Sequence, residues 1–81
     1  MGKYDALGNW FRTQSVATTK VLLEFTEIER IMSDDLPPCA RWSFQWWNNR
    51  QRTAHSDTWL DAGFQTVMVD MENEKVKFQR S

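Results

Sequence analysis

Cysteine occurs once in this chain, as Cys39, and histidine once, as His55. A single thiol cannot close an intramolecular disulfide, and one thiol with one imidazole cannot complete a zinc site, so no metal is expected. Glycine is confined to three positions and proline to the adjacent pair Pro37-Pro38. Flexible linkers, low-complexity tracts and a glycine-rich phosphate cradle are therefore excluded. No apolar run approaches the ~18 residues that span a bilayer, and the amino terminus carries no basic segment followed by an apolar stretch. A soluble, cytoplasmic protein without a membrane partner is expected. Met1-Gly2 opens like a myristoylation signal, but Ala6 stands where Ser or Thr is required. Net charge is −1, short of the strongly basic balance of a dedicated nucleic-acid binder. Acid is also absent locally, since no Asp or Glu falls between Asp35 and Asp57.

Aromatic and basic residues fill that gap. Trp42, Trp46 and Trp47 lie inside it and Trp59 just beyond, four of the five tryptophans, in company with Arg41, Arg50, Arg52 and His55. An 81-residue chain reads as a single domain over 1–81, and a domain of that size buries only about 60% of the surface its unfolded chain exposes. Large rings, each removing roughly 150–250 Å2 from water, are an effective way to build a core at this length.

Periodicity and punctuation lay out the elements. Leu7, Trp10 and Phe11 have helical spacing within Tyr4 to Gln14. Lys20 to Phe25 is a short, partly β-branched strand. Thr26 and Glu29 form a Ser/Thr-x-x-Glu capping box that opens a second helix, with Ile28, Ile31 and Met32 inside. Leu36-Pro37-Pro38 resets the chain, and Pro38 opens a third helix predicted to reach Asn49. Ser56 is the expected N-cap of a short helix ending near Gly63. The polar stretch from Arg50 to His55 is read as a turn. Beyond it, Phe64, Thr66, Met68 and Asp70 alternate with Val67, Val69 and Met71, and Val76 with Phe78 repeats the pattern after Glu72-Asn73-Glu74, which is a hairpin. The expected fold is α+β and winged-helix-like: three to four short helices with a small antiparallel sheet of the first strand plus the C-terminal hairpin.

The third helix carries the functional expectation. Projected at 100° per residue, Arg41, Gln45, Asn48, Asn49 and Arg52 share an arc of about 100°, while Cys39, Trp42, Trp46 and Trp47 point the other way. Guanidinium pairs bidentately with guanine and carboxamide with adenine, so an acid-free face of this composition suits DNA reading. Lys75 and Lys77 would add phosphate contacts beside the wing, whereas Glu72 and Glu74 at its tip oppose deep insertion. Any surface helix also has a polar outer face, and the same Trp and Arg residues dominate protein interfaces. A protein-interaction module, self-associating or with another protein, anchored on Trp47 and Phe44, is the alternative. Trp42 and Trp46 on this helix and Trp59 on the next are expected in the core, with Trp47 favoured for burial less strongly.

Catalysis has little to build on. His55 would need a nucleophile such as Cys39 or Ser56 and an orienting Asp57 or Asp61. His55-Ser56-Asp57 is contiguous, and triads meet through folding rather than adjacency, so it reads as loop and cap. Cys39 falls on the apolar arc and reads as a core thiol. No cofactor motif is present, and the protein is expected not to be an enzyme.

Together, Phe25-Thr26-Glu27-Ile28-Glu29, Leu36-Pro37-Pro38-Cys39-Ala40-Arg41, Trp46-Trp47-Asn48-Asn49, His55 and Trp59-Leu60-Asp61-Ala62-Gly63-Phe64 resemble a family of small bacterial domains of unassigned function. Its pattern runs Phe-x-Glu-Ile-Glu, Leu-Pro-x-Ser-Ala-Arg, Trp-Trp-x-Asn, His, Trp-Leu-x-Ala-Gly-Trp. The likeness spans Tyr4 to Arg80. Cys39 stands in place of the family's Ser and Phe64 in place of its Trp. The resemblance implies a cytosolic protein of bacterial or phage origin and carries no assigned activity, cofactor or partner.

Overall fold

The computed structural model describes residues 2–50 and 52–80. Met1, Gln51 within the expected turn, and Ser81 lie outside the described residues. In chain order the elements are α1 (Asp5–Arg12), β1 (Lys20–Glu24), α2 (Phe25–Met32), α3 (Pro38–Trp42), a 3-10 turn (Phe44–Trp47), α4 (Ser56–Leu60), β2 (Phe64–Asp70) and β3 (Lys75–Arg80). The expected α+β arrangement is present: four short helices and a three-stranded antiparallel sheet in the order β1-β3-β2. None of the described helices is long and apolar enough to cross a membrane.

Strand β1 runs directly into α2, and this moves the helix start. Glu24 and Glu27, rather than Thr26 and Glu29, form the capping box, with the Glu24 N–H donating to the Glu27 carboxylate at 3.0 Å. Glu24 lies on the outer face of β1, where its carboxylate can fold back over the first helical N–H groups. Glu29 is engaged elsewhere, accepting from Leu36 N–H at 2.9 Å and from Arg41. Ser33 ends the helix in the left-handed region at φ 55°.

The predicted continuous helix from Pro38 to Asn49 does not form. Pro38 opens α3 as expected, but Ser43 is extended (φ −126°, ψ 112°) and the chain resumes as a single 3-10 turn. The reason lies in Trp47. Its indole N–H donates at 3.0 Å to the carbonyl of Ala40, a group that a continuing helix would pair with the N–H four residues on. Breaking the helix lets Trp47 enter the core between Phe25 and Trp59, with ring centroids 5.1 and 5.9 Å away and interplanar angles near 20°. The expectations for the tryptophans change accordingly. Trp47 is 1% exposed and Trp59 is fully buried, whereas Trp42, expected inside, is 73% exposed; Trp46 is half-buried.

The core gathers Leu7 and Phe11 of α1, Val21 and Leu23 of β1, Phe25, Ile28 and Met32 of α2, and Phe64, Val76 and Phe78 of the hairpin around these two indoles. Phe11 meets Phe78 edge-on at 4.8 Å. The simple alternation expected in β2 is interrupted at Val67, where a bulge shifts the register between Thr66 and Met68. Phe64 and Thr66 therefore share the inner face with Val69, while Met68 moves to the outer face opposite Lys77. Gly63 takes φ +88° just beyond α4, the left-handed position anticipated for it. Ser56 is not the N-cap: His55 holds that place, and Ser56 and Thr53 exchange N–H to hydroxyl hydrogen bonds at 2.8 and 3.1 Å.

Candidate interaction surface

Trp42 closes α3, Phe44 opens the 3-10 turn, and extended Ser43 between them turns both rings outward, 73% and 67% exposed. Beside Phe44 runs a groove of about 530 Å3. One wall comes from the 3-10 turn and the residues after it, including Gln45, Asn48 and Arg50; the other comes from Thr66, Val67, Met68 and Val69 of edge strand β2. Among the described residues no acidic side chain lines it.

Asn49 sets the spacing of the two walls. Its carboxamide nitrogen donates to the Thr66 carbonyl at 2.8 Å, and its oxygen accepts from the Thr66 N–H at 3.0 Å and from the Trp59 indole at 3.1 Å. The Thr66 hydroxyl completes the cluster, 2.7 Å from the Trp47 carbonyl. A side chain here does what a neighbouring strand would do. Asn49 is thus a structural residue, not part of an outward polar arc.

The arginines expected on that arc are also engaged internally. Arg41 is held by Glu29 at 2.6 Å and Glu74 at 2.7 Å, bridging α2 to the hairpin turn. Those two hydrogen bonds raise the Arg41 pKa. Burial pushes the Glu29 carboxyl up, but hydrogen bonds from Arg41 and the Leu36 N–H outweigh it and leave the group below its ordinary value. Arg52 pairs with Asp57 at 2.9 Å and Asp61 at 2.5 Å. Arg50, which the arc omitted, has no carboxylate partner among the described residues. Gln45 and Asn48 are exposed, and the Asn48 side chain accepts from the Arg50 N–H at 2.7 Å. Lys75 stands between Glu24 and Asp70 in the sheet, and Lys77 between Leu22 and Met68. Of the predicted set, then, the structure brings Gln45, Asn48 and the internally bonded Asn49 together at the groove and separates Arg41, Arg52, Lys75 and Lys77 from it.

His55 lies flat on Trp46, centroids 3.8 Å apart at 7°, with Nε2 2.8 Å from the Trp46 carbonyl and the ring edge-on to Tyr4 at 5.8 Å. Burial lowers its pKa, partly offset by that carbonyl. Its sequence neighbours diverge, Ser56 to Thr53 and Asp57 to Arg52. Among the described residues no group of His, Cys, Asp and Glu is arranged to hold a metal ion.

A family model described as Domain of unknown function (DUF7662) matches residues 4–81. The chain belongs to that family. Every element from α1 to β3 falls within the DUF7662 match, so the exposed rings and the groove are part of the domain itself. No curated protein and no solved structure matches the chain.

Proposed function

We propose that this domain is a non-enzymatic protein-interaction module whose contact surface is formed by Trp42, Phe44 and the adjoining groove. One observation carries the reading. Among the aromatic residues, Trp42 and Phe44 alone are exposed, and every other ring is buried or half-buried. Leaving such a ring in water rather than burying it forgoes about 1.5–3 kcal/mol. Val67 and Met68, 45% and 46% exposed, extend the same apolar area across the groove, and tryptophan with a nearby arginine is typical of the side chains on which protein partners anchor.

A photo-crosslinking amino acid placed at Phe44 tests this in the native cell, with the same group at Arg12 on a different face as control. A protein adduct specific to position 44, or a crosslinked dimer if the domain self-associates, is the expected result. Adducts that are equally abundant from both positions, or none at all, defeat the proposal.

Nucleic-acid contact by a winged-helix-like domain is the second reading, in a cytoplasmic protein of bacterial or phage origin. It is favoured by the acid-free groove, where exposed Gln45, Asn48 and Arg50 adjoin a ring on which an unpaired base can stack. Against it, Arg41 and Arg52 each already face two carboxylates, and α3 is a single turn rather than a long reading helix. Titration with duplex DNA, single-stranded DNA and RNA at ~50 mM salt decides it, because phosphate-driven binding is strongest there. Absence of binding removes this reading.

A further inference from the structure

The groove has a chemical bias that the exposed rings alone do not show. Among the described residues its polar lining is carboxamide, hydroxyl and one guanidinium, with no Asp or Glu, in a chain whose net charge is −1. Arg41 and Arg52 are each neutralised by two acids, yet Arg50 between them in sequence is exposed and unpaired with any described carboxylate. The remaining lining is Phe44, Trp47, Val67, Met68 and Val69, apolar side chains against which apolar groups can pack.

We infer that the groove takes a short, extended peptide segment that seats apolar side chains against Phe44, Val67 and Met68 and sets a carboxylate on Arg50. This rests on the protein-interaction reading above and adds the chemistry of the partner. Extension follows from the groove's course along four consecutive residues of β2, a run of about 13 Å at the ~3.3 Å rise of a strand. Full strand addition is not expected. Asn49 occupies the backbone N–H and C=O of Thr66, and the bulge at Val67 interrupts the edge beyond it. Side-chain packing and the carboxylate pair therefore hold the segment, the guanidinium offering two parallel N–H donors to one carboxylate. A nucleic-acid strand would instead need a row of cations along its backbone, and among the described residues the groove lining supplies only Arg50.

The test is a displayed library of random heptapeptides selected against the full chain and, separately, against Arg50→Glu. Selected peptides are then titrated onto both proteins by heteronuclear NMR, which also verifies that the variant is folded. Wild-type selection is expected to enrich Asp or Glu beside aliphatic residues, with shifts at Val67 and Met68. Those peptides should bind Arg50→Glu at least tenfold more weakly, while selection against the variant enriches Lys or Arg. An empty selection, a pool without acidic preference, a preference unchanged in Arg50→Glu, or oligothymidylate displacing the peptides each overturns the inference. If the crosslink at Phe44 captures a protein while Arg50→Glu leaves peptide preference unaltered, the acidic segment is wrong and the interaction module stands. If neither crosslink nor selected peptide appears, both fall.

Discussion

Asn49 and the backbone of Thr66 exchange a reciprocal pair of hydrogen bonds, 2.8 Å from carboxamide to carbonyl and 3.0 Å from N–H to side-chain oxygen, across seventeen residues of sequence. The same oxygen accepts from the Trp59 indole. Replacing Asn49 by Ala orphans groups on β2 and α4 together, and a buried orphan costs about 1–3 kcal/mol. Asn49→Ala should lower the free energy of unfolding by about 2–3 kcal/mol in urea titrations. Asn49→Asp, which keeps the acceptor and loses the donor, should fall between it and wild type. A loss below about 0.5 kcal/mol for Asn49→Ala would show that water replaces the latch.

Trp42 and Trp47, on either side of the helix break, should behave oppositely. Trp47→Phe keeps a ring between Phe25 and Trp59 but leaves the Ala40 carbonyl without its partner, for a loss of about 1–2 kcal/mol. Trp47→Ala should cost about 3–5 kcal/mol. Trp42→Ala, on a ring that is 73% exposed, should stay within about 0.5 kcal/mol of wild type. Equal destabilisation by the two alanine variants would contradict the assignment of Trp42 to the surface.

This contrast also shows how far the residues alone could lead. Some local patterns reported correctly, namely the helical spacing of Leu7 and Phe11, the short strand from Lys20, Pro38 opening α3 and Gly63 beyond α4, whereas the capping box at Thr26 and the N-cap at Ser56, equally local, did not. The candidate site was less legible because it depends on Ser43. Projecting a straight helix through it put Trp42 and Trp47 on one arc, and the competition of the Trp47 indole for the Ala40 carbonyl, seven residues back, separates them. The adjacency of Trp46 and Trp47 was the available signal, since two neighbouring indoles on one helix diverge by about 100°. The bulge at Val67 was equally silent, and it determines which β2 side chains reach the groove. Whether an arginine is free or paired likewise depends on tertiary neighbours, so Arg41 looked available and Arg50 was passed over.

Acid should weaken the fold in two steps. His55 is held neutral by burial, its pKa below the ordinary value of about 6.5. The unfolded chain therefore takes up its proton first, and stability that is complete above about pH 6.5 declines as pH falls toward the folded-state pKa. His55→Gln should flatten this upper part of the profile. A wild-type profile flat from pH 7 to 5, or a slope retained in His55→Gln, would rule out His55 as its source.

The lower step belongs to Glu29. Its carboxyl is depressed in the folded state, so its contribution is present above the ordinary carboxylate range and is lost as pH falls through the folded-state value. Arg41→Ala removes the partner of Glu29 and Glu74 together. Because the Glu74 and Arg41 side chains are 45% and 31% exposed, solvent screens much of their attraction, and a loss of about 1–2 kcal/mol at neutral pH is expected, nearly all from the Glu29 side. Glu74→Ala should cost less than half as much. Measured losses in the reverse order would place the energetic weight on the turn instead.

The bridge that Arg41 makes between Glu29 and Glu74 is reinforced by the Phe25 N–H donating to the Glu74 carbonyl at 2.8 Å. Hairpin tip and second helix are thereby moored together at side chain and main chain alike. A flap free to swing would have to surrender conformational freedom on meeting a visitor, whereas this tip is already fixed, and little ordering remains for an encounter to impose.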